Sequence, residues 1–341
     1  MARPAFESEL ERANGFWHFK WSNKISENGS VRCANDAIVS VLKSRGACIF
    51  IERWLLAERL IGDRPMKIGA GFYGLATALT GILDIAWREF DASHQPINAL
   101  GKNLPGLHIL ACFAGVWMVA AGLATLWRRS ARIGAAASAI VYLIFTAFWL
   151  PRYDAGIHAY GWRIDVLLGI SFGLAQQVFL AAPAAIVFAS TASPDSFMQR
   201  RAAIAARWMM GLPPIVFGLF HLTSIHIFAR IVPQWIPFGN FWAVLTGIAF
   251  FLAGSAICSG IMDILAVRLL ALMLLLFEGL VEIPPIFIRL HSQPTWGAAV
   301  YNLTAIGACL IFAEFLASRA DRAQIGPAGN VDTSRPDAVV A

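Results

Sequence analysis

Residues Phe217 to Ser259 read FGLFHLTSIHIFARIVPQWIPFGNFWAVLTGIAFFLAGSAICS. A long apolar run carries His221 and His226. Val232-Pro233-x-Trp235-x-Pro237 breaks it, and a second apolar run opens with Phe241-Trp242 and is spaced by Gly247 and Gly254. Runs of about 20 apolar residues match the roughly 30 Å hydrocarbon layer of a bilayer. The stretch therefore predicts two membrane-spanning helices joined by a short, rigid, aromatic-rich turn.

The rest of the chain obeys the same solvent. Hydrophobic residues make up 58% of the 341 residues and charged residues 14%, against about half and about a quarter in an ordinary soluble domain. Mean hydropathy is +0.62. Too few charges remain to coat a water-soluble body, so lipid solvates much of the surface. The net charge of +6 does not indicate nucleic acid, because the Lys and Arg residues sit at the ends of apolar runs and form no basic face. Cys33, Cys48, Cys112, Cys258 and Cys309 make no C-x-x-C pair, and the last three behave as small hydrophobes inside apolar runs.

Eight spans follow, at approximately 67–88, 105–127, 132–150, 163–189, 208–231, 240–259, 264–288 and 296–317. They must be helices, since backbone groups in lipid have to bond within their own segment. Residues 1–65 are polar and lack a secretory leader's apolar core; they read as an N-terminal extension, disordered or ahead of the natural start. Residues 319–341 read as a disordered tail, with Gly326, Pro327, Gly329 and Pro336. Arg64, Lys67, Arg128, Arg129, Arg132, Arg200, Arg201, Arg207, Arg268, Arg319 and Arg322 cluster on one side of the spans. By the positive-inside rule both termini are cytoplasmic, in an inner membrane.

An internal repeat organises the spans. Tyr73-Gly74-Leu75 corresponds to Phe217-Gly218-Leu219, Pro105 to Pro237, Gly115 to Gly247, Ala121-Gly122 to Ala253-Gly254, Pro151 to Pro285, and Trp162 to Trp296. The offset runs from 144 (Tyr73 to Phe217) to 132 (Pro105 to Pro237). Each unit, 66–190 and 205–318, then holds four helices, and an even number makes the units parallel. The expected fold is all-α and polytopic, with two tandem four-helix bundles.

His221, Val232-Pro233-x-Trp235-x-Pro237, Phe241-Trp242-Ala243-x-Leu245-Thr246-Gly247 and Ala253-Gly254 together resemble the DoxX family of small bacterial four-helix membrane proteins. The resemblance is good over 212–317 and weaker over 67–183, where the histidine and the proline-tryptophan turn are missing and Thr77 stands in the aligned place of His221. It implies an accessory, quinone-linked component of a membrane redox complex, not an enzyme on its own. Oxidoreductase subunits would be its partners and a quinone its candidate cofactor. A small-solute or ion transporter is the alternative, as is a purely structural partner-binding protein. A homo-oligomer is compatible with each.

Ionisable groups inside spans are costly and are functional candidates by default. Glu278 and Glu282 are four apart and share a helix face. Arg289 lies one heptad further on as a counter-charge, past Pro284-Pro285. His221 and Glu282 are the expected hydrogen-bonding or proton-handling pair, with Glu278 in support. The plainer alternative is a structural tie from Glu282 to Arg289 or His221. His226 is a further candidate, but five residues from His221 it lies about 140° away around a helix, so the two make no metal pair. No metal site is expected. In the first unit Thr77, Asp84 and Arg88 follow helical spacing and read as a structural polar seam, with Asp84 and Arg88 as an ion pair.

Overall fold

The computed structural model describes residues 67–91, 94, 106–127, 129–191 and 196–325. The expected N-terminal extension and most of the expected tail lie outside the described residues. Every regular element among the described residues is helical, and eight helices are long and apolar enough to cross a membrane. The first four spans are Lys67–Trp87, Leu107–Thr125, Ala131–Trp149 and Ile164–Thr191. The second four are Phe197–Thr223, Gly239–Ser259, the broken segment from Asp263 to Ile288, and Gln293–Ile325. An even number of such helices brings Lys67 and Ile325 to one end of the bundle.

Three spans end or begin elsewhere than in the sequence reading. The fifth span begins at Phe197, where the Ser196 side chain caps the helix by accepting the Gln199 N–H at 3.1 Å. It ends at Thr223, and a separate short helix, Ile225–Ala229, follows a non-helical Ser224 (φ −127°, ψ 41°). The apolar run holding His221 and His226 is therefore two elements, not one. The third span continues past Trp149 into a second helix, Pro151–Tyr160, because a proline at the first helical position loses no bond that was available to it. The eighth helix runs on through Arg319 to Ile325.

Sequential spans pack side by side, and the eighth returns to the first, so the helices close into one ring. The fourth and eighth also touch across its middle. The first span packs on the eighth and the fifth on the fourth, so the two units are interlocked through their last helices.

Glycine makes the closest of these contacts. A Cβ on Gly74 would stand 2.6 Å from the Gly122 carbonyl oxygen, and one on Gly115 would stand 2.6 Å from that of Gly81. In the second unit, a Cβ on Gly218 would be 2.6 Å from the Gly247 oxygen, and one on Gly254 2.5 Å from that of Gly211. Both seams thus run backbone against backbone, with paired glycines seven residues apart. Lipid supplies no hydrophobic drive between helices, so such close approach carries much of the association.

Gly115→Ala is expected to destabilise the protein by about 1–3 kcal/mol, since the obstacle is a backbone oxygen that cannot swing away. Gly71→Ala, with nothing within 4 Å of its Cβ position, should be neutral or stabilise by up to about 1 kcal/mol. Thermal unfolding midpoints in detergent compare the two.

Candidate functional site

Five helices meet around a cavity of about 60 Å³ in the second half of the ring. His221 and Glu282 both line it, with Gln176, Tyr301 and Asn302, among Phe172, Phe179, Phe217, Phe250 and Phe277. The two residues paired in the sequence reading therefore face one void.

His221 is buried, and its Nδ1 lies 2.8 Å from the Phe217 carbonyl oxygen. A carbonyl only accepts, so Nδ1 carries the proton and Nε2 is left as an acceptor. The ring lies flat on Phe228, with centroids 3.5 Å apart and planes 15° from parallel. The break at Ser224 brings this about by turning the short helix back over the end of the fifth span.

Glu278 and Glu282 stand on a π-helical turn, Glu278–Glu282. The cause lies downstream. Pro284 and Pro285 have no N–H to give to the carbonyls four residues back, and the Ile283 N–H instead reaches back five residues, to Glu278. Glu278 is buried, and Oε2 accepts from Asn302 Nδ2 at 3.0 Å. The same amide group donates to the Leu274 carbonyl at 2.8 Å. Glu282, half-buried, lines the cavity. Such π turns interrupt helices at functional sites more often than elsewhere.

Two candidates stand apart. Arg289 caps the short helix Ile283–Ile288 and is not among the cavity-lining residues; the π turn and the prolines break the heptad register that would have aligned it with Glu282. His226 is exposed on the short helix after Ser224 and does not line the cavity either.

Thr77 and Asp84 are fully buried. Arg88 is exposed, because the first span ends at Trp87 and Arg88 turns into the left-handed region (φ 53°). The expected Asp84–Arg88 ion pair is therefore absent, and Asp84 Oδ1 accepts the backbone N–H of Asp91 at 3.3 Å. The glycine pairs give a different match between the first and fifth spans from the one expected. His221 follows Gly218 by three residues, and Gly81, the matching member of the first seam, is followed by three to Asp84. Asp84 holds the place that the alignment gave to Thr77.

Around Asp84 the segment after the first span folds back into the ring. Asp91 and His94 are buried there, and with Asp84, Thr80, Tyr142, Gln293 and Tyr301 they line a second cavity of about 10 Å³. The sequence reading missed Asp91, His94, Tyr142, Tyr301 and Asn302. The first two sit in a polar connection with no periodicity, and the others look like ordinary members of apolar spans. Among the described residues, no group of three or more His, Cys, Asp or Glu side chains is placed to hold a metal ion.

Burial drives the His94 pKa from 6.5 down to about 4, against the opposing pull of Asp91. Between those values the unfolded chain takes a proton that the folded protein refuses, so stability falls as pH drops from 6.5 towards 4. His94→Gln should flatten that fall in unfolding midpoints measured across this range. Asn302→Leu should cost about 1–3 kcal/mol by the same measurement, since it strips a buried carboxyl of its donor.

Compared with protein-family models, with curated proteins and with solved structures, the chain gives no match.

Proposed function

We propose that the chain is a DoxX-like, accessory and quinone-linked component of a membrane redox complex, lying in the inner membrane with both ends cytoplasmic. The observation that carries this reading is the convergence of His221 and Glu282 on one phenylalanine-walled cavity. A quinone head group needs an apolar, aromatic slot and two polar groups for its carbonyl oxygens. His221 Nε2 and the Glu282 carboxyl are of the right kind: either can give or take the proton that a quinone exchanges on reduction. Glu278, held by Asn302, would act in support. A void of about 60 Å³ suits a few waters rather than a whole ring, so a head group would enter with rotation of wall phenylalanines. The resemblance over 212–317 supports the same reading, and the matched glycine seams support a duplicated unit.

A transporter is the second reading, and one observation favours it. The seventh span is broken at two acidic residues, and the fifth ends in a break beside a buried histidine. Discontinuous helices with polar groups at the break are how many transporters build their sites.

Gentle purification from native membrane, followed by mass spectrometry of extracted small molecules and co-purifying subunits, separates these readings. A retained quinone that is lost in His221→Ala and reduced at least about tenfold in Glu282→Gln, a loss of about 1.4 kcal/mol in binding, is the expected result. Protein free of quinone and of oxidoreductase subunits would overturn it, and solute flux in proteoliposomes would then be the deciding measurement for the transporter.

A further inference from the structure

The fourth span, Ile164–Thr191, carries two adjacent glutamines near its middle, Gln176 and Gln177. Of the two, only Gln176 lines the larger cavity. It is 4% exposed, and among the described residues its amide makes no hydrogen bond. Buried polar groups are matched by protein, by water or by a ligand. At this depth lipid tails offer neither donor nor acceptor, so the partner of this amide has to come from the void it lines.

The neighbours of Gln176 on its helix set its position. Phe172 and Phe179, four residues before and three after, share its face and line the same cavity. Phe172 packs on Phe217, Phe220 and Phe228 with ring centroids 4.9, 5.3 and 6.1 Å apart. Phe179 packs on Phe217 at 6.3 Å. The amide is thus set between two rings that bear on the fifth span, which carries His221. Other polar groups of the cavity already have protein partners. His221 gives its Nδ1 proton to the Phe217 carbonyl, and the Asn302 amide nitrogen donates to Glu278 and to the Leu274 carbonyl. Gln176 keeps both a donor and an acceptor for a ligand.

We propose that Gln176 is a further anchor for the head group in this cavity, and that it holds the ring in both redox states. The amide nitrogen donates to a carbonyl oxygen of the quinone. After a half-turn of the amide, the side-chain oxygen accepts from the corresponding hydroxyl of the quinol. Gln176 itself takes up no proton and no electron. It is a positioning residue that binds the oxidised and the reduced ring alike, while proton exchange stays with His221 and Glu282. This role rests on the quinone reading of the cavity.

The test uses the full chain in lipid nanodiscs, stripped of native quinone. It is titrated with a short-tailed dimethoxy-benzoquinone and, without oxygen, with the corresponding quinol, and empty nanodiscs give the baseline for partitioning into lipid. Gln176→Met keeps the length and helical preference of the side chain and removes the amide. It should weaken binding of both forms by about fivefold or more, by the same factor. Its unfolding midpoint without ligand should not fall, because no hydrogen bond within the protein is lost. Gln176→Asn, which keeps the amide, gives a second reading of binding should the Met variant not fold, with a smaller loss shared by both forms. Binding unchanged in these variants but abolished in His221→Ala would overturn the role of Gln176 and leave the quinone reading standing. A loss confined to one redox form would overturn the redox-independent anchor. A lower midpoint in Gln176→Met would make the amide a tie between helices and overturn the proposal too. Wild-type protein that binds neither form would be the failure of the quinone reading itself, and this role would fall with it.

Discussion

Backbone-to-backbone contact at glycine is the constraint on which the structure rests. In lipid there is no hydrophobic gain from pressing one apolar helix on another, so association depends on close packing and on internal polar matches. Paired glycines bring the first span onto the second and the fifth onto the sixth. Gly69 and Gly307 play the same part between the first and eighth spans, against the backbone of Ile311 and Tyr73. Together these contacts close the helices into a ring narrow enough to exclude lipid from its interior. A polar side chain on an inward face must then find its partner inside. Tyr73 does so by donating to the Leu180 carbonyl across the ring at 2.8 Å.

The eighth span has a double role that follows from its position. It belongs by sequence to the second unit, yet it packs against the first span and touches the fourth. Gln293, Gly297 and Tyr301 follow four-residue spacing and face the smaller cavity, while Asn302 and Ala305 face the larger. One helix thus furnishes a wall of both polar sites, and Tyr301 sits where the walls meet. Two independent bundles would have no such residue.

The seventh span shows how a local backbone defect becomes part of a site. Two prolines remove two donors, a π turn takes up the mismatch, and the acids at its ends are set inward with Asn302 holding one of them. The same prolines take Arg289 out of the heptad register, and it caps the short helix Ile283–Ile288 instead of lining the cavity. At this depth Glu278 is answered by a neutral donor, the Asn302 amide.

The sequence alone determined the class and the number of spans, because the length and hydropathy of each apolar run are local properties set by the thickness of the bilayer. It also marked six of the eight seam glycines, missing Gly81 and Gly211, and His221 and Glu282 as residues to watch, because small and ionisable residues stand out against an apolar background. It misplaced the partner of Asp84, since helical spacing assumes that the helix continues, and the chain leaves it at Trp87. Its match of the first span to the fifth differs by seven residues from the match that the glycine pairs give, because glycine spacing repeats every two turns and a sequence match cannot tell one turn pair from the next. Only the tertiary structure decided which glycines face each other, that Asp91 and His94 fold back to meet Asp84, and that Tyr301 is shared. Each of these depends on the rotation of one helix about its axis relative to another. That rotation is fixed by contacts between residues far apart in the chain, which no local pattern encodes.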